Sequence, residues 1–255
     1  ATELQISAEA DKSAWPLLPS ERTWGSWKLG ISLATAAAAT WCYIIGEYVG
    51  YYLGFLKGFA ALAAGSMIGM LIVAIAAVPI CIRFGVDSIA STKPQFGSKG
   101  WIIPAAMQQI SIVGWNSLLL IFFAKSTTQL LIALGITAEG ETSLLVPLTI
   151  LIACALVFLF LLKGSGGLDR IAKILVAHVL IGCWMLYILL SQRWDELSNA
   201  KPAYASGDPV WDYTTGVEIG IVSLLSWWPY IGAMVRMAPR GRTAAVPIMI
   251  GMGAP

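Results

Sequence analysis

The residues best suited to recognising a small solute lie where the chain has no charge. Gln108, Ser111, Trp115 and Leu119 occupy one such stretch. At 100° per residue they fall at about 0°, 300°, 340° and 20°, a single face of a helix. Asn116 lies about 80° from Gln108, at the edge of that face. An indole beside amides suits a planar ligand, because the ring stacks while the amides read its N–H and C=O groups. The same amides would equally tie helices together by hydrogen bonds. A second stretch reads Ser226-Trp227-Trp228-Pro229. Proline removes one backbone donor and disfavours helical geometry at the residue before it, so a kink or break is expected near Trp228. Carriers hold ions or substrates with backbone groups freed in this way, although a plain kink with an interior tryptophan uses the same residues.

Residues 32–40 form a third stretch, Ser32-Leu-Ala-Thr-Ala-Ala-Ala-Ala-Thr40, followed by Trp41. Small side chains let neighbouring backbones approach closely. It contains neither Gly nor Pro, so nothing in it forces a break and helix packing alone would account for it. Thr40 completes the candidate solute-binding set of Trp115, Trp227, Trp228, Asn116 and Gln108. Glu47 is expected near a membrane surface as a solvated carboxylate, and Asp212 and Glu218 at an interfacial helix end. His178 sits inside an uncharged run, where an ionisable group is either functional or hydrogen-bonded in packing.

Enzyme chemistry has little to work with. A single histidine cannot build a multi-histidine iron, haem or zinc site, and no GxSxG, HExxH or P-loop spacing occurs. Cys42, Cys81, Cys154 and Cys183 lie in separate runs without a CxxC pair and read as buried free thiols. No catalytic residue or cofactor is expected.

These residues are carried by an all-α membrane protein. Of 255 residues 58% are hydrophobic and 12% charged, with mean hydropathy +0.76. Soluble domains carry about 25% charged residues, and a water-soluble chain of this size could not hide so much apolar surface. The net charge of +2 implies no nucleic-acid partner; the lipid bilayer is the partner the composition demands. Uncharged runs cover 29–46, 58–82, 100–124, 142–162, 174–192 and 219–235, and a seventh begins at 243. About 20 apolar residues cross a bilayer, so six membrane helices and a partial seventh are predicted. Period-2 alternation is absent, which argues against a membrane β-barrel.

Lys and Arg alternate across these runs. Twelve fall on the side that holds Arg22, Arg83, Lys163 and Arg236, and four on the side of Lys57, Lys125, Arg193 and Lys201. The bias predicts a multi-pass protein of the cell membrane with a cytoplasmic N-terminus. Residues 1–26 contain four acidic residues and no apolar core, so they read as a cytoplasmic lead-in and not as a signal peptide. Residues 27–255 form the membrane domain. Its last run stops at Gly253-Ala254-Pro255, and the expectation is the N-terminal part of a longer protein.

Four stretches in order resemble the nucleobase–cation symporter family, the permeases for cytosine, purines, uracil, thiamine, allantoin and hydantoin. They are Ala36-Ala-Ala-Ala-Thr-Trp-Cys-Tyr-Ile-Ile-Gly46, Pro94-Gln-Phe-Gly-Ser-Lys-Gly100, Val113-Gly-Trp-Asn116, and Ser226-Trp-Trp-Pro229 with Arg236 to Arg242 behind it. The resemblance implies a leucine-transporter-type fold of two inverted five-helix repeats, with the first and sixth helices discontinuous around a midplane site. It implies import of a nucleobase-like heterocycle coupled to Na⁺ or H⁺. The ring would lie between Trp115 and either Trp227 or Trp228, and Na⁺ would meet carbonyls around Ala36 to Ala39. Two positions depart from the family: Leu119 replaces a substrate-binding Gln of hydantoin-type members, and Arg236 or Met237 replaces an acidic residue. The first departure points toward a cytosine- or pyrimidine-like substrate. An amino-acid or other small-solute carrier of the same fold is the alternative, and a non-transporting membrane protein stands behind it.

If Trp115 stacks on a solute, Trp115→Ala weakens apparent uptake affinity by about 1 kcal/mol or more. An unchanged KM for uptake would remove Trp115 from the site.

Overall fold

Apolar runs have no water to satisfy their peptide groups, so each must close its own hydrogen bonds as a helix. A computed structural model describes residues 15–38, 41–138, 143–162 and 165–254, with the backbone alone at 161 and 165–178. Every regular element among the described residues is helical. In chain order they are α1 (Ser26–Ala37), α2 (Trp41–Phe84), α3 (Lys93–Gly100), α4 (Ile102–Ala133), α5 (Leu145–Leu161), α6 (Ser165–Gln192), α7 (Trp194–Ser198), α8 (Pro209–Leu225), α9 (Trp228–Val235) and α10 (Gly241–Ile248), the last running into a π-turn at Met249–Gly253. Among the described residues two helices, α2 and α4, are long and apolar enough to cross a bilayer. Together α8 and α9, bent by 45° at their break, make a third if counted as one span.

The run that begins after Lys28 does not end at Glu47. One helix closes at Ala37 with Ala38 as its C-cap, and the helix described from Trp41 continues past Glu47 to Leu53. At Gly54 the backbone turns to φ 69°, ψ −177°, dividing α2 into segments 41–53 and 55–84. Only glycine is comfortable there, since left-handed φ strains any other residue. A Cβ at this point would also lie 2.5 Å from the Ala200 carbonyl oxygen.

The chain forms two compact units, one of residues Ile102–Ile171 and one of the described residues up to Trp101 together with those from Ala172 onward. In the first, α4 packs against α5. Its buried pair, Ala124 and Thr128, lies about 160° and 200° around α4 from Gln108. The polar and indole face is therefore not the one this unit buries.

In the second unit the main contact is α2 against α8, and small residues make it. Gly65 on α2 meets Gly220 and the Val217 carbonyl on α8, Gly69 meets the Ile221 backbone, and Gly216 makes room for Leu53 and Ala61, so the two backbones touch. A Cβ on Gly220 would sit 3.1 Å from the Gly65 Cα, and one on Gly69 would sit 2.6 Å from the Ile221 carbonyl oxygen. Around this seam Leu29, Leu33, Met70, Val73, Ile231, Val235, Ile248 and Met252 form a buried core that joins α1, α2, α9 and α10.

Polar contacts fasten both ends of the seam. Near Gly85, the Leu17 N–H donates to the Gly85 carbonyl at 2.9 Å. The Arg22 guanidinium donates to the carbonyls of Leu17 and Ile82, and the Trp24 N–H to that of Met237. Near Gly54, the Tyr204 N–H donates to Tyr51 at 3.0 Å and the two rings stack within 5° of parallel. Asp208 caps α8 by accepting from the Val210 and Trp211 N–H groups. Asp212, expected at the interface, is instead buried at 5% exposure, while Glu218 is exposed. The burial follows from its place on the α8 face that carries Gly216 and Gly220.

Gly65→Leu should disrupt the seam, with at least the 1–3 kcal/mol typical of overpacking. Thermal unfolding in detergent is the measurement. Gly50→Ala, in a helix with nothing within 4 Å of the new Cβ, should leave the unfolding temperature unchanged or slightly raised.

Candidate functional site

Two helices of the second unit are broken, and the breaks meet. Pro229 has no N–H, so the Leu225 carbonyl loses its helical donor. The Tyr230 and Ile231 N–H groups both turn to the Trp227 carbonyl, at 3.0 and 2.9 Å. This break, expected near Trp228, falls at Ser226–Trp227. The break after Ala38 has no such cause in the sequence. There the last carbonyls of α1 are met by side chains from the start of α2: the Trp41 indole donates to Ala36 at 3.1 Å, and the Cys42 thiol to Ala37.

The Trp41 and Trp227 rings lie against each other, centroids 5.7 Å apart and planes 36° apart. Tyr230 flanks Trp227 at 5.3 Å. Beside this aromatic pair is a cavity of about 130 Å³, lined by Ala37, Trp41, Cys42, Ser66, Ser223 and the Met252–Ala254 backbone region among others. The Ser223 hydroxyl donates to the Ile219 carbonyl at 2.7 Å, leaving its lone pairs to the cavity. The Ser66 hydroxyl has no hydrogen-bond partner among the described residues. No charged side chain lines the space.

An indole, two hydroxyls and an uncharged wall suit a small neutral solute that is flat and hydrogen-bonding. The C-terminus of α1 carries partial negative charge at the same place. Each of its carbonyls keeps a second lone pair after meeting Trp41 or Cys42, so a hard cation would find oxygen there.

The expected site residues are distributed as follows. Trp227 and Trp228 both pack against the core; the Trp227 ring meets Trp41, and the Trp228 carbonyl accepts from the buried Ser88 hydroxyl at 2.6 Å. Ala36 is at the α1 break, its carbonyl engaged by Trp41. Ala39 and Thr40 lie outside the described residues, as does the His178 side chain. Trp115, Asn116 and Gln108 belong to the other unit; Trp115 and Asn116 are exposed on α4 and Gln108 is half-buried.

Trp41, Ser66 and Ser223 were not in the expected set. Trp41 carried a signal, since an indole inside an apolar run and away from its ends needs an explanation. A lone serine in a membrane-length helix carries none, because it commonly bonds to its own backbone.

A scan against protein-family models and searches of curated proteins and of solved structures return no match.

Ser88 is fully buried and serves the α9 break from the loop after α2. Ser88→Ala removes a second hydrogen bond to the Trp228 carbonyl, which keeps its helical donor, and should cost about 1 kcal/mol, read as a lowered unfolding temperature without loss of helical circular dichroism.

Proposed function

We propose that this protein is a secondary transporter that imports a nucleobase or related planar heterocycle, such as cytosine, together with Na⁺ or H⁺. The observation that carries the reading is the meeting of two helix breaks at a small cavity walled by indole. Broken helices at membrane depth are tolerated only where protein or a water-filled space covers the freed backbone, and carriers use them to hold solute and ion at once. Trp41, backed by Trp227, supplies stacking surface, Ser66 and Ser223 supply hydroxyls, and the α1 carbonyls face a coupling cation.

The fold that accords with this reading is the leucine-transporter type, with α1 and 41–53 as the broken first helix and α8 with α9 as the broken sixth. On the charge bias described above, the α1 end faces the cytoplasm and Gly54 the outside of a cell membrane crossed several times. The resemblance to nucleobase–cation symporters supports the substrate class. Rocking of one helix bundle against the other would alternate access, solute and ion binding together in the state open to the outside.

Cells or proteoliposomes bearing the protein should accumulate radiolabelled cytosine, uracil, hypoxanthine or allantoin, and an imposed Na⁺ or H⁺ gradient should increase the uptake. Trp41→Ala should raise KM about fivefold or more, the equivalent of about 1 kcal/mol. Competition by amino acids but not by bases would replace the substrate class. Absence of uptake for every base under both gradients would overturn the proposal.

A further inference from the structure

A second cavity, of about 430 Å³, opens beside the Gly54 bend in the same unit. Its walls include Tyr52, Phe55, Lys57, Ser198, Lys201 and Asp212. The decisive group is Asp212. It is 5% exposed, and its carboxylate accepts only from the Ser206 N–H, 3.2 Å from each oxygen. No Lys or Arg forms an ion pair with it among the described residues, where the ion pair present is Arg193–Glu196. A carboxylate has about four acceptor positions, and leaving such a group buried with so few donors is costly. Capping accounts for none of this, because Asp208 already holds the first N–H groups of α8.

The rest of the lining selects what could complete it. Two lysine ammonium groups disfavour a cation by like-charge repulsion. Tyr52 and Phe55 offer aromatic surface to a flat ring. We infer that this cavity is a binding site for an uncharged planar solute bearing N–H groups, which donate to the Asp212 carboxylate. The inference rests on the transport reading only for the side it faces: on that orientation it is an external docking station, reached before the cavity between the helix breaks.

The probe is radiolabelled cytosine, an uncharged ring with N–H donors, in equilibrium dialysis against the purified protein in nanodiscs. Wild type should bind two molecules per chain. A protein carrying both Trp41→Ala and Trp227→Ala should retain one, and adding Asp212→Asn should lower the affinity of that one at least tenfold. Asparagine keeps an oxygen for the Ser206 N–H, and an unfolding temperature matching the parent's shows that the fold survives. Where it does not, Ala205→Trp, which fills the cavity from its wall without touching the carboxylate, should produce the same loss. Unlabelled 1,3-dimethyluracil, a ring without N–H groups, should not displace the label. Binding that survives both Asp212→Asn and Ala205→Trp within twofold, displacement by dimethyluracil, or no cytosine bound to the Trp41/Trp227 variant would each overturn the inference. Uptake by wild type with any of those three results removes this site and leaves the transport reading standing. An Asp212-dependent site in a protein that takes up no base supports the cavity and removes the carrier.

Discussion

A peptide group without a partner is intolerable at apolar depth, and the arrangement around α1, α2, α8 and α9 is organised by that constraint. The helical ladder is cut at the C-terminus of α1 and again at Ser226–Trp227, where Pro229 removes a donor. The end of α1 is met by Trp41 and Cys42 from the adjoining start of α2, and the first turn of α9 takes a hydroxyl donor from Ser88 in the loop after α2. The capping groups are themselves positioned by what they cap. Trp41 donates to Ala36 and in doing so turns its ring onto Trp227, so one hydrogen bond both closes a helix end and forms a wall of the cavity.

The glycine seam makes this possible. Gly65 against Gly220, and Gly69 against the Ile221 backbone, bring α2 and α8 to backbone contact, a distance that larger side chains forbid. That approach holds Leu224, near the end of α8, in the core beside Met70 and Val73. The break at Ser226–Trp227 follows two residues later, so its position over α1 is set by the register of the seam.

Sequence reading captured the parts of this that depend on composition and on strong local chemistry. The uncharged runs mark where helices form, and Pro229 marks one break because a missing N–H is a covalent fact. The break after Ala38 was not legible, since alanine favours helix and the interruption is sustained by contacts from Trp41 and Cys42. Glu47 was taken to close the first run, but the charge interrupts nothing and the turn comes at Gly54. Asp212 was misplaced for a related reason: its charge suggests an interface, while its spacing four residues before Gly216 puts it on the packed face. Trp115 and Gln108 share a helical face by their spacing, while the buried face of α4 in its own unit is the one with Ala124 and Thr128, a choice set by packing that spacing alone does not carry.

Direct contact between the backbones of α2 and α8 has a mechanical consequence. Interfaces built from interlocking side chains can slide by exchanging rotamers, whereas Gly65 and Gly220 have no side chain to exchange. The pair therefore moves as one strut, and displacement falls to joints where the helical ladder is already cut: the Gly54 turn and the Ser226–Trp227 step. Those joints share a property the strut lacks, in that each is bridged by a donor or carbonyl from a different segment, so flexing one tugs on a distant stretch of chain.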